Sequence, residues 1–198
     1  MIIYCGPTTT IYEFRDPCCI LRVGQGVASD RILLTDGTAI EVGELIGTLH
    51  FWNEHLPRYN PVAGPDLSWA AEIRRRLVES LQSPAHHVGT DPLWHDVQAF
   101  RGEVVFSSRL GVLQLERVTR RHGFECIARE YSSGRPLRDL GNCIYAYGLA
   151  RAFNPGAGVR QRFFRRYDEL WISQHTLRAL YGEPNPSGAL GWRGWLLK

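Results

Sequence analysis

The first thirty residues place short apolar pieces between Gly6-Pro7, Pro17 and Gly24-Gln25-Gly26, which predicts brief extended segments and no helix. RILLTDGTAIEV follows, with Ile32, Leu33 and Leu34 on one side of Asp36-Gly37 and Ile40 and Val42 on the other. That arrangement predicts a β-hairpin, because glycine accepts the positive φ that a tight turn demands. Gly43 and Gly47 punctuate the return, and LIGTLHFW (45–52) reads as a further strand. After the breaker-rich loop PRYNPVAGP, Asp66 has the character of a helix N-cap. Trp69, Ile73, Leu77 and Leu81 recur every fourth residue, and Arg74, Arg75 and Arg76 fall mostly on the other side. This predicts an amphipathic helix of about four turns with a solvated arginine face.

Asp91-Pro92 suits the start of a short helix through Leu93, Val97 and Phe100. Residues 103–107 read as a strand, and 110–121 as a helix stopped by Gly123. Residues 124–129 read as another strand. From 136 to 153 the apolar steps at Leu137, Leu140, Ile144 and Gly148 predict a helix, stopped by Asn154-Pro155. Residues 168–172 form a last strand, and Ser173 caps a helix over 174–181 that ends at Gly182. Strands come first and helices are interspersed without a βαβ beat. The expectation is a single α+β domain over 1–182, with a mainly antiparallel sheet packed by four or five helices, and an apolar tail over 183–198.

The length of 198 residues and an apolar content of 44% suit a globular domain with its own core. A net charge of +3 is too small to point to nucleic acid, and none is expected as a partner. Lys198 is the single lysine against 22 arginines, which reflects either a GC-rich genome or a use for planar, bidentate contacts. The five cysteines include no CxxC pair, and adjacent Cys18 and Cys19 are poor partners for one another. MIIYCGPTTT lacks the charged and apolar regions of a signal peptide, so reduced thiols and a cytoplasmic location are expected. No apolar run approaches the ~18 residues of a membrane span.

LHFWNEHLP (49–57) concentrates the candidate chemistry. His50 and Glu54 share a face whether the segment stays extended or turns helical, so they could form an acid–base pair. Trp52, Asn53 and His55 would complete a binding strip. The spacing matches no zinc motif, and no metal is expected. The alternative is a strand end in which His50 and Trp52 are partly buried, Glu54 pairs locally and Leu56-Pro57 turns the chain. ARAFNPGAGVRQRFFRR (150–166) is the second candidate: Arg151 lies on an apolar helix face, Asn154 is three residues on, and Arg160 and Arg162 follow in a glycine-containing loop. Arginines beside loop amides suit an anion. The alternative is an internal ion pair to Glu54 or Asp168.

His86-His87 and His95-Asp96 read as structural, with His95-Asp96 in the first turn of a helix. His122 and His175 read as helix-surface residues, and Cys126 and Cys143 as packing residues. The phosphate-loop, dinucleotide and nucleophile-elbow patterns are missing, so no cofactor is expected. Trp192, Trp195, Leu196 and Leu197 with Arg193 and Lys198 could dock on the domain, on a partner chain such as a second copy, or peripherally on a membrane.

ILLTDGTAIEVGELIGTLHFWNEHLP, SWAAEIRRRLVESL, GLARAFNP and ELWISQHTLRALYG together resemble the YkoP-like family, over roughly residues 18 to 182. The resemblance implies a small bacterial domain, found alone or attached to polysaccharide deacetylase domains, with no established reaction. It implies a context of envelope polysaccharide or glycolipid metabolism, and it carries no active-site residue across. The expected function is an accessory module for an anionic glycan or lipid-linked sugar. In that reading Trp52 stacks on the ligand, Asn53 and Glu54 read hydroxyls, and Arg151 with the following arginines neutralises phosphate. A transferase or hydrolase using His50 and Glu54, and a protein-interaction subunit, are the alternatives.

Overall fold

A computed structural model describes residues 10–12, 19–58, 66–106, 117–128 and 166–182. Its strands are β1 (Thr10–Tyr12), β2 (Leu21–Val27), β3 (Ile32–Leu33), β4 (Ala39–Ile40), β5 (Leu45–Phe51), β6 (Ala99–Phe106), β7 (Glu125–Ala128) and β8 (Arg166–Ser173). Six of them form one sheet in the order β1-β2-β5-β6-β8-β7, while β3 and β4 pair apart from it. Every neighbouring pair in the sheet is antiparallel except β5 with β6. The long connection that a parallel pair requires is supplied here by α1 (Leu67–Thr90).

Four or five helices are expected, and the described residues contain fewer. Among the described residues the α-helices are three: α1, α2 (117–120) and α3 (Gln174–Tyr181). The short helix expected through Phe100 is instead a 3-10 turn, Pro92–Trp94, followed by β6. Leu93, Val97 and Phe100 mimic helical spacing. However, Phe100 pairs with Ile172 in the ladder and stacks on Trp94 at 5.8 Å, so sheet packing overrides the local pattern. His95 and Asp96 therefore lie beyond that turn and not in a first helical turn. The helix expected over 136–153 and the tail over 183–198 lie outside the described residues.

Helix α1 begins where the sequence places it, with the Asp66 carboxylate accepting the Trp69 amide at 2.8 Å. It then continues past Leu81 and through Pro84, a residue that removes one helical hydrogen bond. Burial offsets that loss: Leu81, Pro84, Ala85 and Val88 all lie in the core. Burying each large apolar side chain is worth about 1.5–3 kcal/mol. Ser80 is buried with them, because its hydroxyl donates to the Arg76 carbonyl at 2.6 Å and accepts the Ile20 amide at 2.8 Å.

The sheet has two unlike faces. Leu21, Val23, Leu49, Phe100, Leu170 and Ile172 alternate onto the first, which packs on α1 and α3. On the second face the β3–β4 hairpin lays Ile32, Leu34 and Ile40 over Ile46, Ala99 and Trp171. The hairpin turns at Gly37, whose φ is +88°. Its tip is tied down at two points. Thr35 donates from its amide and its hydroxyl to Glu125, and Asp36 accepts from the Thr176 hydroxyl at 3.2 Å. Burial pushes the Asp36 carboxyl up, but hydrogen bonds from Ser173, Thr38 and Thr176 outweigh it and hold the group at about 2.

His122 is not the helix-surface residue its sequence suggests. Gly123 ends the α2 turn with φ +77°, and the backward bend carries His122 under α3. There its Nδ1 lies 3.3 Å from the Tyr181 hydroxyl, which donates to the His122 carbonyl at 3.1 Å. Burial, and then the nearby Arg74 charge, lower the His122 pKa, and burial raises that of Tyr181. The fold therefore favours neutral His122. Its contribution is complete above the ordinary value of 6.5 and is lost as pH falls below it through the lowered folded value. Thermal melts between roughly pH 7 and pH 5 should show a shallower loss of Tm in His122→Phe than in the wild type. Parallel slopes would place the acid sensitivity elsewhere.

Candidate functional site

Beyond the hairpin, the second sheet face changes character. β5 sends Ile46, Thr48 and His50 onto it in succession, so the same strand supplies both the apolar and the polar half. In β2, Arg22 stands directly opposite His50. In β6, Arg101 and Glu103 alternate with Phe100 and Gly102, and Arg101 lies beside Thr48. In β8, Glu169 faces Glu103 and Trp171 faces Arg101. One register step beyond the Leu49–Gly102 pair, His50 and Glu103 point to the same side of adjacent strands. The strand pattern thus lines up Arg22, His50, Glu103 and Glu169 across four strands, with Thr48 and Arg101 in the row below.

Thr48, His50 and Glu169 are buried, and Arg22, Arg101 and Glu103 are half-buried. His50 is 7% exposed and Thr48 3%, and the side chains of Arg101, Glu103 and Glu169 are 15%, 12% and 7% exposed. Two carboxylates standing opposite each other in an antiparallel pair repel. Arg101 offsets this by approaching Glu103 at 3.6 Å and Glu169 at 3.7 Å. Both distances suit an ion pair and exceed a good hydrogen bond. The other Glu169 oxygen accepts the Trp171 indole N–H at 3.0 Å. The Thr48 hydroxyl has no hydrogen-bond partner among the described residues. A buried hydroxyl in that state costs about 1–3 kcal/mol, which a ligand atom could recover.

The LHFWNEHLP strip meets this face at one end. β5 stops at Phe51, and a 3-10 turn, Asn53–His55, breaks the alternation that would have aligned residue 54 with residue 50. His50 is buried on the sheet, Glu54 is exposed on the turn, and among the described residues no hydrogen bond or ion pair joins them. His55 stacks on Trp52 at 3.7 Å, and its Nδ1 lies 2.9 Å from the Cys19 carbonyl. The Arg22 guanidinium lies over the Trp52 ring at 4.3 Å. His55 and Arg22 thus both lie against the Trp52 ring, and Trp52 places Arg22 at the edge of the polar row. The side chain of Asn53 lies outside the described residues, as do Arg151, Asn154, Arg160 and Arg162.

Arg22, Thr48, Arg101, Glu103 and Glu169 were not singled out in the sequence. A charged residue at every second strand position ordinarily marks a solvated face. RGE carries that ordinary pattern, and in LRV and DELW the charges stand beside apolar residues as they do at many strand surfaces. Among the described residues no group of three or more His, Cys, Asp and Glu could hold a metal ion.

A family model described as the YkoP domain matches residues 28–181. The matched span includes Thr48, His50, Arg101, Glu103 and Glu169, and Arg22 precedes it. No curated protein and no solved structure matches the chain.

Proposed function

The chain belongs to the YkoP domain family, and we propose that the polar half of its second sheet face binds a hydroxyl-rich ligand bearing an anionic group. An anionic glycan or lipid-linked sugar of bacterial envelope polysaccharide or glycolipid metabolism fits that chemistry, with the domain as an accessory module. One observation carries the reading: two arginines, two carboxylates, an imidazole and a hydroxyl share one sheet face, three of them buried and three half-buried. Burying charge is costly, and an ion-pair cluster of this kind is seldom better for stability than apolar residues of similar volume. Glu103, Glu169 and Thr48 are suited to sugar hydroxyls, and Arg22 and Arg101 to a phosphate or carboxylate.

A second reading, a transferase or hydrolase on the same ligand, is favoured by the placement of His50 beside Glu103. A carboxylate can fix an imidazole's tautomer and stabilise its protonated form, as a general base requires. In that reading Glu103 takes the role the sequence suggested for Glu54.

Native mass spectrometry of protein purified gently from its own host separates these outcomes from a purely structural cluster. Wild type should carry a small-molecule mass, and a folded His50→Ala, Glu169→Gln variant should lose it. Turnover of the identified ligand by wild type, lost in His50→Ala, would select the enzyme reading. Retention of the same mass by the variant, or no mass on either protein, would overturn the binding site.

A further inference from the structure

A second place in the molecule has the shape and charge of a ligand site. A groove of about 480 Å³ runs between the last two turns of α1 and the start and outer side of α3. Its lining includes the small residues Ala85, Gly89, Ala179 and Gly182. His86 from α1 and His175 and Arg178 from α3 supply its basic groups, and the described lining contains no carboxylate. We propose that this groove binds a free phosphomonoester, held by Arg178 with His86 and His175 as flanking donors.

Arg178 carries most of the argument. A side chain on Gly89 would meet its guanidinium, since an added Cβ would stand 3.3 Å from both Nε and Nη2. The Arg178 guanidinium thus lies against the backbone of α1 at Gly89. Among the described residues no hydrogen bond or ion pair engages that guanidinium, and its planar fork of donors suits a bidentate oxyanion. An imidazole donates one N–H when neutral and two when charged, so His86 and His175 add donors in either state.

The α3 backbone is not the source of the site. The Gln174 amide is already given to the Gln98 carbonyl at 2.7 Å, and the Thr176 amide to the Ser173 hydroxyl. Recognition rests on side chains, and phosphate suits them better than carboxylate because it offers three oxygens to donors on both walls. The groove is built from the first-face layer of helices, so it stands apart from the polar row on the second face.

The test is a titration of the full chain with inorganic phosphate and with glycerol 3-phosphate, followed by NMR of the histidine side chains. Saturable shifts at His86 and His175, with His122 unmoved, are the expected result. Arg178→Gln should weaken binding at least tenfold, and Gly89→Val, which displaces the guanidinium, several-fold. Circular dichroism identifies variants that have lost their fold, and for these His175→Gln takes their place with the same expectation. Shifts that do not saturate, or that survive Arg178→Gln in a folded protein, would overturn the proposal. Binding to vesicles containing phosphatidic acid without binding to either free probe would overturn it as well.

Discussion

Arg101→Met is expected to lose about 3–5 kcal/mol of folding stability in urea denaturation, the cost of removing one partner from a buried ion cluster. With a total stability of about 5–15 kcal/mol for a domain, that change would leave the protein marginal. The reason is the geometry around the guanidinium. Glu103 and Glu169 face each other in the β6–β8 ladder, and Arg101 approaches both at 3.6 and 3.7 Å. Without it, two carboxylates that are 12% and 7% exposed would confront each other with less water to separate them. The informative comparison is a triple variant, Arg101→Met, Glu103→Leu, Glu169→Leu. It removes all three charges together and should regain most of the loss, matching or exceeding wild type. A triple variant that is stable but retains no ligand would mean that the polar row is kept for binding at a cost to stability. A loss below about 1 kcal/mol in Arg101→Met would mean that water reaches the cluster, as at surface pairs.

Gly47→Val should be comparably damaging for an unrelated reason. Gly47 lies beside Phe100 across the parallel β5–β6 pair, and a Cβ there would fall within contact distance of the Phe100 ring, including Cγ at 2.8 Å. Phe100 is fully buried and stacked on Trp94, itself 3% exposed, so the ring has nowhere to move. Overpacking of this kind typically costs about 1–3 kcal/mol and occasionally more, and Val at a site fitted to glycine belongs at the upper end. Gly47→Ala should show a smaller loss, and Gly47→Ala with Phe100→Leu should lose less than the sum of the two single changes, because the second makes room for the first. Additive losses in the double variant would show that the two residues do not compete for one space.

Much of the fold was legible where local chemistry and tertiary packing agree. The Asp36-Gly37 turn, the Asp66 cap, the Ser173 cap and the strand preceding α3 are all present, each near its expected boundary. They are local devices, and their physics is complete within a few residues. The reading failed where packing overruled a local pattern. The periodicity from Trp69 to Leu81 predicts about four turns, yet α1 continues through Pro84 to Thr90 because its last turns are buried. Leu93, Val97 and Phe100 are spaced for a helix, yet the ladder to β8 claims Phe100. The His122 reading failed because a single glycine reverses the chain and carries the ring under α3.

The candidate site shows the same division. LHFWNEHLP was conspicuous as a dense run of polar and aromatic residues, and its His50 does stand in the buried polar row. Its Glu54 does not join His50, because a 3-10 turn begins two residues beyond the end of the alternation. By itself the sequence determined the Asp36-Gly37 turn and the caps at Asp66 and Ser173, since those choices depend on φ preference, capping and periodicity. Only the tertiary structure decided which charges are buried and which face one another. That depends on strand order and on what covers each sheet face, and the alternation of a single strand is the same whether water or protein lies above it.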